Sequence, residues 1–139
     1  MTMMSLWSQA PYLDYIGAGH NADITVTTSN SEGPSTGAKT VDGSGLSGNN
    51  HNNNVSHAWF GQETQANPVP GRGASNWIHY DFGHQYALGA STIWNFNEEG
   101  YTEAGMRSVT IDTSVDGTSW TEWGTFEIAR ASGDDNYAG

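Results

Sequence analysis

The chain has no cysteine, few basic residues and no long apolar run. Without cysteine, no disulfide can cross-link the fold, and no thiolate can bind a metal or attack a substrate. Four Lys and Arg residues face fifteen Asp and Glu residues, which gives a formal net charge of −11. Such a surface repels nucleic acid and anionic lipid, because both are bound mainly through Lys and Arg. We therefore expect no nucleic-acid partner.

The apolar runs are too short for a transmembrane helix, so we expect no membrane insertion. The first residues have neither a charged region nor an apolar core typical of a secretory signal, so no signal peptide is expected in this chain. A length of 139 residues favours one domain. We assign residues 23–139 to that domain and residues 1–22 to an N-terminal segment.

Glycine and aromatic residues are abundant. Eighteen Gly residues, with many Ser, Thr and Asn, work against long helices. Six Trp and six Tyr residues are a heavy aromatic load for a chain of this size. Most of them are expected in the core. The combination is typical of an all-β domain with long loops, and it also suits sugar binding, since aromatic rings stack on pyranose C–H faces.

Alternation of apolar and polar residues predicts the strands. In residues 76–82, the side chains of Ile78, Tyr80 and Phe82 share one face. In residues 107–115, Val109 and Ile111 point inward and Asp112 points outward. Asp116-Gly117 predicts a hairpin turn. The remaining predicted strands are residues 23–29, residues 86–96 with a bulge at Gly89, residues 118–123 and residues 124–130, and together the strands indicate a β-sandwich.

Two long stretches are polar. Residues 30–58 consist almost wholly of turn-forming residues and end at Trp59-Phe60, which we expect to attach them to the core. Residues 97–106 connect two predicted strands and carry several acidic and amide side chains. A long loop inside a compact domain is commonly functional.

Four motifs occur in a characteristic order: "TVDGSGL" followed by His and "WF", then "WIHYDFG", "IWNFNE" and "SVDGTSW". In this order they resemble the discoidin family, also called the factor V/VIII C-type or galactose-binding-like fold, which includes the family 32 carbohydrate-binding modules. The resemblance covers roughly residues 23–130. It implies a jelly-roll β-sandwich, an extracellular or cell-surface location within a larger protein, a ligand site among the loops at one end and a structural calcium ion.

The resemblance ends near the C-terminus. The family pattern continues into further strands beyond the "ARASGDDNYAG" sequence of residues 129–139. We therefore expect the jelly roll to lack its last strands. An uncapped strand edge is a liability for a folded protein, so a homodimer or an exchange of strands is a further expectation.

The resemblance implies a calcium site at Asp42, with Ser44 and Ser47 supplying further oxygen atoms. Calcium takes oxygen ligands from a loop that can bend around it. The alternative is an ordinary Asp-Gly turn without metal. A zinc site built from histidines is not expected, since no cysteine is present and no three of the candidates converge in the sequence pattern: His51, His57, His79 and His84.

The loop after "IWNF" is the predicted ligand site. Asn, Glu and Arg side chains can bind sugar hydroxyls, and an aromatic ring can supply a stacking surface. The predicted contacts are Asn97, Glu98, Tyr101 and Arg107, joined by His51, Asn53 and Trp59 from the other polar stretch. The alternative is a solvated loop in which Arg107 forms a salt bridge with Glu98, Glu99 or Glu103.

The sequence thus predicts a non-catalytic carbohydrate-binding module with a glycan as its partner. The alternative is a protein-interaction or adhesion module that uses the same loops. A glycosidase would need two carboxylates placed across a cleft, and Glu98, Glu99 and Glu103 all lie on one loop. We therefore do not expect an enzyme.

Overall fold

The computed structural model describes residues 24–139 with the exception of residues 87, 89 and 90. The predicted N-terminal segment, residues 1–22, lies outside the described residues, and so do Asp23 and the predicted bulge at Gly89. The described residues form strands and short 3₁₀-helices, with no α-helix among them. This part of the chain is therefore all-β. It also contains no helix with the length and apolarity needed to cross a membrane.

Six strands pair into small antiparallel sheets. Within the described residues, β1 pairs with β4, β2 with β3, and β5 with β6. The strands are β1 Thr25–Thr28, β2 Leu46–Ser47, β3 Asn50–His51, β4 Ile78–Asp81, β5 Ser108–Thr113 and β6 Thr121–Glu127. The 3₁₀-helices are η1 Gly37–Thr40, η2 Val55–His57 and η3 Thr102–Ala104. These pairings alone do not make a jelly roll.

The β1–β4 sheet has the predicted inner face. Ile78 and Phe82 are buried, and Tyr80 lies between them in the alternation. The Tyr80 hydroxyl donates a hydrogen bond of 2.9 Å to Thr40 Oγ1 in η1. Burial raises the pKa of Tyr80 to about 12, because the phenolate would lose its hydration. Helix η1 thus covers part of the inner face of this sheet.

The β5–β6 hairpin carries the other half of the core. Val109 and Ile111 are buried, as predicted, with Tyr80, Ile93, Met106 and Ile128 packed around them. The predicted turn is also confirmed. Gly117 has a φ of 71°, and the Asp116 carboxylate accepts backbone N–H groups from Ser119 and Thr118. Those two hydrogen bonds hold the pKa of Asp116 well below its usual range.

Two strand predictions are wrong. A single strand, β6, replaces the separate strands predicted over residues 118–123 and 124–130. The reason is that Thr118 and Ser119 belong to the Asp116 turn, so pairing begins only at Thr121. No regular strand occupies residues 91–96. Side chains from this stretch bond to distant loops instead, as with Trp94 Nε1, which donates to the Asn49 carbonyl at 2.9 Å.

Asp112 was predicted to face solvent, but it is buried. Arg72, from the loop over residues 61–75, donates to both of its carboxylate oxygens at 3.1 and 2.7 Å. The same guanidinium reaches Glu122 at 2.8 Å. The pKa of Arg72 is raised mainly by its hydrogen bonds to Asp112 and, to a smaller extent, by its hydrogen bond to Glu122. Alternation predicted the wrong environment for Asp112, because the arginine that covers its carboxylate lies 40 positions away in the sequence.

The long polar stretch over residues 30–58 ends next to the core, where the Phe60 ring lies against that of buried Phe96 with centroids 5.1 Å apart. Trp59 Nε1 donates to the Asn30 carbonyl at 2.9 Å. The backbone of Phe60 exchanges hydrogen bonds with Glu32 and Ser35. Ser35 itself is buried and donates to the Val55 carbonyl at 2.9 Å. These contacts join the beginning of the stretch, at residues 30–35, to the residues around its end, 55–60.

Candidate binding site at the loop end

Three chain segments meet around Asn97. The Asn97 amide is 2% exposed. Its nitrogen donates to the Asp134 carbonyl at 2.7 Å and to the Asn52 carbonyl at 3.2 Å. Its oxygen accepts the Gly133 N–H at 2.8 Å. Asn97 therefore joins the loops over residues 51–57 and 132–135, and its amide faces inward rather than toward a ligand.

Asn95 closes the loop that Asn97 anchors. It is also 2% exposed. Its amide nitrogen donates to the carbonyls of Met106 and Ala129 at 2.8 and 2.9 Å. Its oxygen accepts the N–H groups of Met106 and Phe96 at 2.8 and 2.9 Å. An amide can make four such bonds, so its capacity is fully used.

Gly105 makes this closure sterically feasible. A Cβ atom at position 105 would lie 2.6 Å from Asn95 Oδ1, closer than real Cβ contacts allow. The backbone of Met106 can reach the Asn95 amide because no side chain intervenes. The absence of a side chain at Gly105 therefore makes room for the Asn95 amide at the other end of the loop.

The C-terminal segment over residues 131–137 forms the third wall, which the sequence analysis did not predict. Asn53 Nδ2 donates to the Gly133 carbonyl at 3.2 Å, and its backbone N–H donates to Asp135 Oδ1 at 3.3 Å. His51 and Tyr137 form an isolated antiparallel bridge. The two polar loops contact each other directly through the hydrogen bond from Asn97 to the Asn52 carbonyl, and this segment contacts both of them.

His51 and Trp59 are directed into the structure. His51 is buried, with Nδ1 lying 2.7 Å from the Asn52 carbonyl and Nε2 lying 3.3 Å from the His57 carbonyl. The Trp59 indole N–H is bound to the Asn30 carbonyl. With Asn53 bound to Gly133, these three predicted contacts order the loops.

The exposed rim of the site is centred on Tyr101. Its side chain is 61% exposed, and it stands directly before η3. Arg130, which sequence analysis missed, donates to Thr102 Oγ1 at 2.7 Å and to Glu103 Oε2 at 2.8 Å. Arg130 and Glu103 are both largely exposed. Tyr101 and Glu103, two residues apart on this loop, are thus both exposed to solvent, and Glu103 is paired with Arg130.

Arg107 and Glu98 complete the predicted set. Arg107 is exposed and Glu98 is half-buried. Among the described residues, Arg107 forms no salt bridge with Glu98, Glu99 or Glu103, and Glu103 pairs with Arg130 instead. Arg107 instead contributes its backbone carbonyl, which accepts the N–H of Ile128 at 2.8 Å.

The predicted calcium loop is held by a lysine. The Ser44 backbone N–H donates to Asp42 at 2.7 Å, and Lys39 donates to both Asp42 and Ser44 Oγ at 3.2 Å. Burial acts to raise the pKa of Asp42, but hydrogen bonds from Ser44 and Lys39 outweigh it and lower that pKa. Ser47 is exposed in β2. Lys39 thus occupies oxygen atoms of Asp42 and Ser44 that the predicted calcium site would use, and this arrangement fits an Asp-Gly turn better than a calcium site.

The histidines do not form a cluster in the described part of the chain. No group of three or more His, Asp or Glu side chains there could hold a metal ion. His79 packs edge-on against Trp120 with ring centroids 5.4 Å apart. His84 packs similarly against Tyr86 at 6.3 Å. Both histidines therefore take part in aromatic packing.

Comparisons with protein-family models, with curated proteins and with solved structures found no match to this chain.

Proposed function

We propose that the protein is a discoidin-like carbohydrate-binding module whose glycan site is the Tyr101 rim. The observation that carries the proposal is the 61% exposure of Tyr101, which lies two residues before Glu103 of the exposed Arg130–Glu103 pair. An exposed aromatic ring can stack on the C–H face of a sugar. A neighbouring guanidinium and carboxylate can donate to and accept from adjacent hydroxyls. The rim therefore combines the two kinds of contact that sugars require.

The proposed fold is a jelly-roll sandwich in which β1–β4 and β5–β6 belong to opposing sheets. The buried amides of Asn95 and Asn97 give the binding loop a rigid base. Binding residues are commonly carried on loops that a rigid scaffold positions. We place the module outside the cell or on its surface, as part of a larger protein, in accordance with the discoidin resemblance.

The proposed activity is binding without catalysis. Glu98, Glu99 and Glu103 lie within six residues of one loop, and Glu103 is engaged with Arg130. A glycosidase needs two carboxylates on opposite sides of the scissile bond. Calcium is not part of the proposal, because Lys39 already neutralises Asp42. A rise in melting temperature on addition of calcium, reversed by EDTA, would restore calcium to it.

A glycan array tests the proposal. Wild type should bind a subset of glycans with modest affinity, and Tyr101→Ala should lose that binding because the stacking surface is gone. Glu103→Gln should weaken it. Val115→Ala is the control, since Val115 is also solvent-exposed, at 75%, but lies in the β5–β6 turn. Equal binding by wild type and Tyr101→Ala would place the site elsewhere, and a silent array would reject the carbohydrate proposal.

A second candidate function rests on strand β6. Trp123 is 48% exposed and Phe126 is 40% exposed, and their rings meet edge-on with centroids 5.7 Å apart. Large exposed aromatic residues are enriched in protein–protein interfaces. This pair favours the alternative of a protein-interaction module. Trp123→Ala should leave glycan binding unchanged if the two surfaces act separately.

A further inference from the structure

Residues 54–56, Asn-Val-Ser, are the only Asn-X-Ser/Thr sequence in the chain. This sequence is the acceptor for N-linked glycosylation, which attaches a bulky, hydrophilic sugar chain and therefore needs an exposed position. A pattern of three residues also arises by chance. The surroundings of the Asn54 side chain decide whether the fold has room for a linked glycan.

The Asn54 amide uses its oxygen within the protein and leaves its nitrogen unengaged. Asn54 is exposed and is the N-cap of η2. Its Oδ1 atom accepts the Ser56 N–H at 3.0 Å and the Ser56 hydroxyl at 2.8 Å. Among the described residues, Nδ2 of Asn54, the atom to which a sugar is linked, donates no hydrogen bond. A sugar on this nitrogen therefore leaves the cap of η2 intact.

The two preceding asparagines are held differently. Asn52 Nδ2 lies 3.1 Å from His57 Nδ1. Asn53 Nδ2 donates to the Gly133 carbonyl at 3.2 Å. A sugar on either nitrogen would displace its partner. Of these three consecutive asparagines, the one that belongs to the Asn-X-Ser sequence is thus the one at which the described fold tolerates a glycan.

We propose that Asn54 is an N-glycosylation site, an inference that rests on the extracellular location proposed above. The co-reactant is an oligosaccharide linked to a lipid diphosphate. A bond forms between Asn54 Nδ2 and C1 of the first sugar, while the bond from C1 to the diphosphate oxygen breaks. The lipid diphosphate leaves with that electron pair, and the amide proton passes to a base of the transferring enzyme.

Secretion of the chain from eukaryotic cells, behind an added signal peptide, tests the proposal by intact-mass measurement. Wild type should carry one glycan, and peptide-N-glycosidase should remove it and leave aspartate at position 54. Asn54→Gln and Ser56→Ala should each be secreted without the glycan, whereas Ser56→Thr should retain it. This readout is independent of the glycan array, so the glycosylation site and the carbohydrate-binding site can fail separately.

Asn49→Gln is the control for the mass measurement. Asn49 is exposed and lies in the same polar stretch, but it is outside the Asn-X-Ser sequence. This variant should be glycosylated as fully as wild type. Unmodified wild-type protein in the medium would overturn the proposal, and so would a glycan that persists in Asn54→Gln.

Asn54→Thr separates the contribution of the fold from that of the motif. It moves the acceptor sequence to residues 52–54, and threonine can still cap η2. A glycan on Asn52 would meet the His57 ring. The variant should therefore be secreted either unmodified or with a melting temperature about 3 °C below that of the same chain made in bacterial cytoplasm, the effect of losing about one hydrogen bond.

The same comparison for wild type should show no such loss. Glycosylated and unglycosylated wild-type protein should have melting temperatures within about 1 °C of each other, because exposed positions contribute little to stability. If glycosylation lowered the melting temperature of wild type as much as that of Asn54→Thr, the fold would not accommodate a glycan at Asn54, and the proposal would be wrong.

Discussion

The inner and outer parts of the loop over residues 95–107 differ in almost every respect. Asn95 and Asn97 are each 2% exposed and use their amides within the protein, whereas Tyr101 is 61% exposed. All three are polar or aromatic residues that would suit a sugar site equally well. The difference shows that residue type indicates which side chains could contact a ligand. The burial and the hydrogen-bond partners of each side chain then decide its role.

The same contrast recurs at Arg72. This guanidinium binds buried Asp112 with one set of N–H groups and exposed Glu122 with another. The pair with Asp112 replaces the hydration that this buried carboxylate has lost, whereas the pair with Glu122 remains in water. Substitutions that disturb the buried groups should therefore lower the free energy of unfolding more than substitutions that disturb the exposed ones.

Asn95→Ala should have the largest effect, a loss of about 4 kcal/mol in the free energy of unfolding. Four backbone groups would lose their partner, and each buried unsatisfied group costs about 1–3 kcal/mol, reduced where water can enter. Urea unfolding followed by tryptophan fluorescence measures the loss. Asn49→Ala is the matched control, because Asn49 is exposed. Similar stabilities for the two variants would contradict the assignment of Asn95 as the loop closure.

Arg72→Ala should lower the free energy of unfolding by more than Glu122→Gln does, because it removes the guanidinium from buried Asp112. Glu122→Gln should cost at most about 1 kcal/mol, the usual range for an exposed ion pair. Chemical denaturation of both variants gives the comparison. If Glu122→Gln were as costly as Arg72→Ala, the stabilisation would not depend on burial.

Asn97→Ala should cost about 2 kcal/mol through three lost hydrogen bonds, and the loss should be local. Hydrogen exchange should accelerate at the Gly133 amide, which now donates to Asn97 at 2.8 Å. Amides in the centre of β5 should keep their protection. Unchanged exchange at Gly133 would show that the C-terminal segment is held by other contacts.

Asp116→Ala should destabilise the protein at pH 7, and by progressively less as the pH falls below about 4. The folded pKa of Asp116 lies below its unfolded value of about 3.9. The stabilisation is therefore complete above that value and is lost as the pH falls toward the folded pKa. Thermal melts across this range measure the difference from wild type. A difference independent of pH would exclude the charged hydrogen bonds as its source.

Tyr101→Ala should have the smallest effect on stability, within about 0.5 kcal/mol, because exposed side chains contribute little. It should nevertheless remove glycan binding. A calorimetric melt and a binding assay on the same sample separate the two effects. A large loss of stability would show that Tyr101 packs against the protein in solution and is not an open stacking surface.

Much of the strand pattern was predictable because it is local. The inner faces of β4 and β5 and the turn at Asp116-Gly117 follow from alternation and from turn chemistry over a few residues. The boundaries of β6 were not predictable, since two residues of the expected strand serve the turn. The strand expected at residues 91–96 failed because its polar groups bond to other segments.

The candidate site was predictable only in outline. The sequence indicated that the loops near Asn53 and Asn97 come close together, and the hydrogen bond from Asn97 to the Asn52 carbonyl joins them. It gave no signal for Arg130, whose partner Glu103 lies 27 residues away. Nor did it show that Lys39 would neutralise Asp42, although a basic residue three positions before the aspartate was visible in the sequence.

The sequence by itself determined the all-β character, the acidic surface and the apolar alternation of the strands, because these depend on composition and near neighbours. Only the tertiary structure decided which asparagines are buried and which side chains form the rim. The partners of Asn95 and Asn97 include Ala129 and Asn52, which lie 34 and 45 residues away. An amide has no intrinsic preference for these carbonyls. It becomes buried because the fold brings them together where water is excluded.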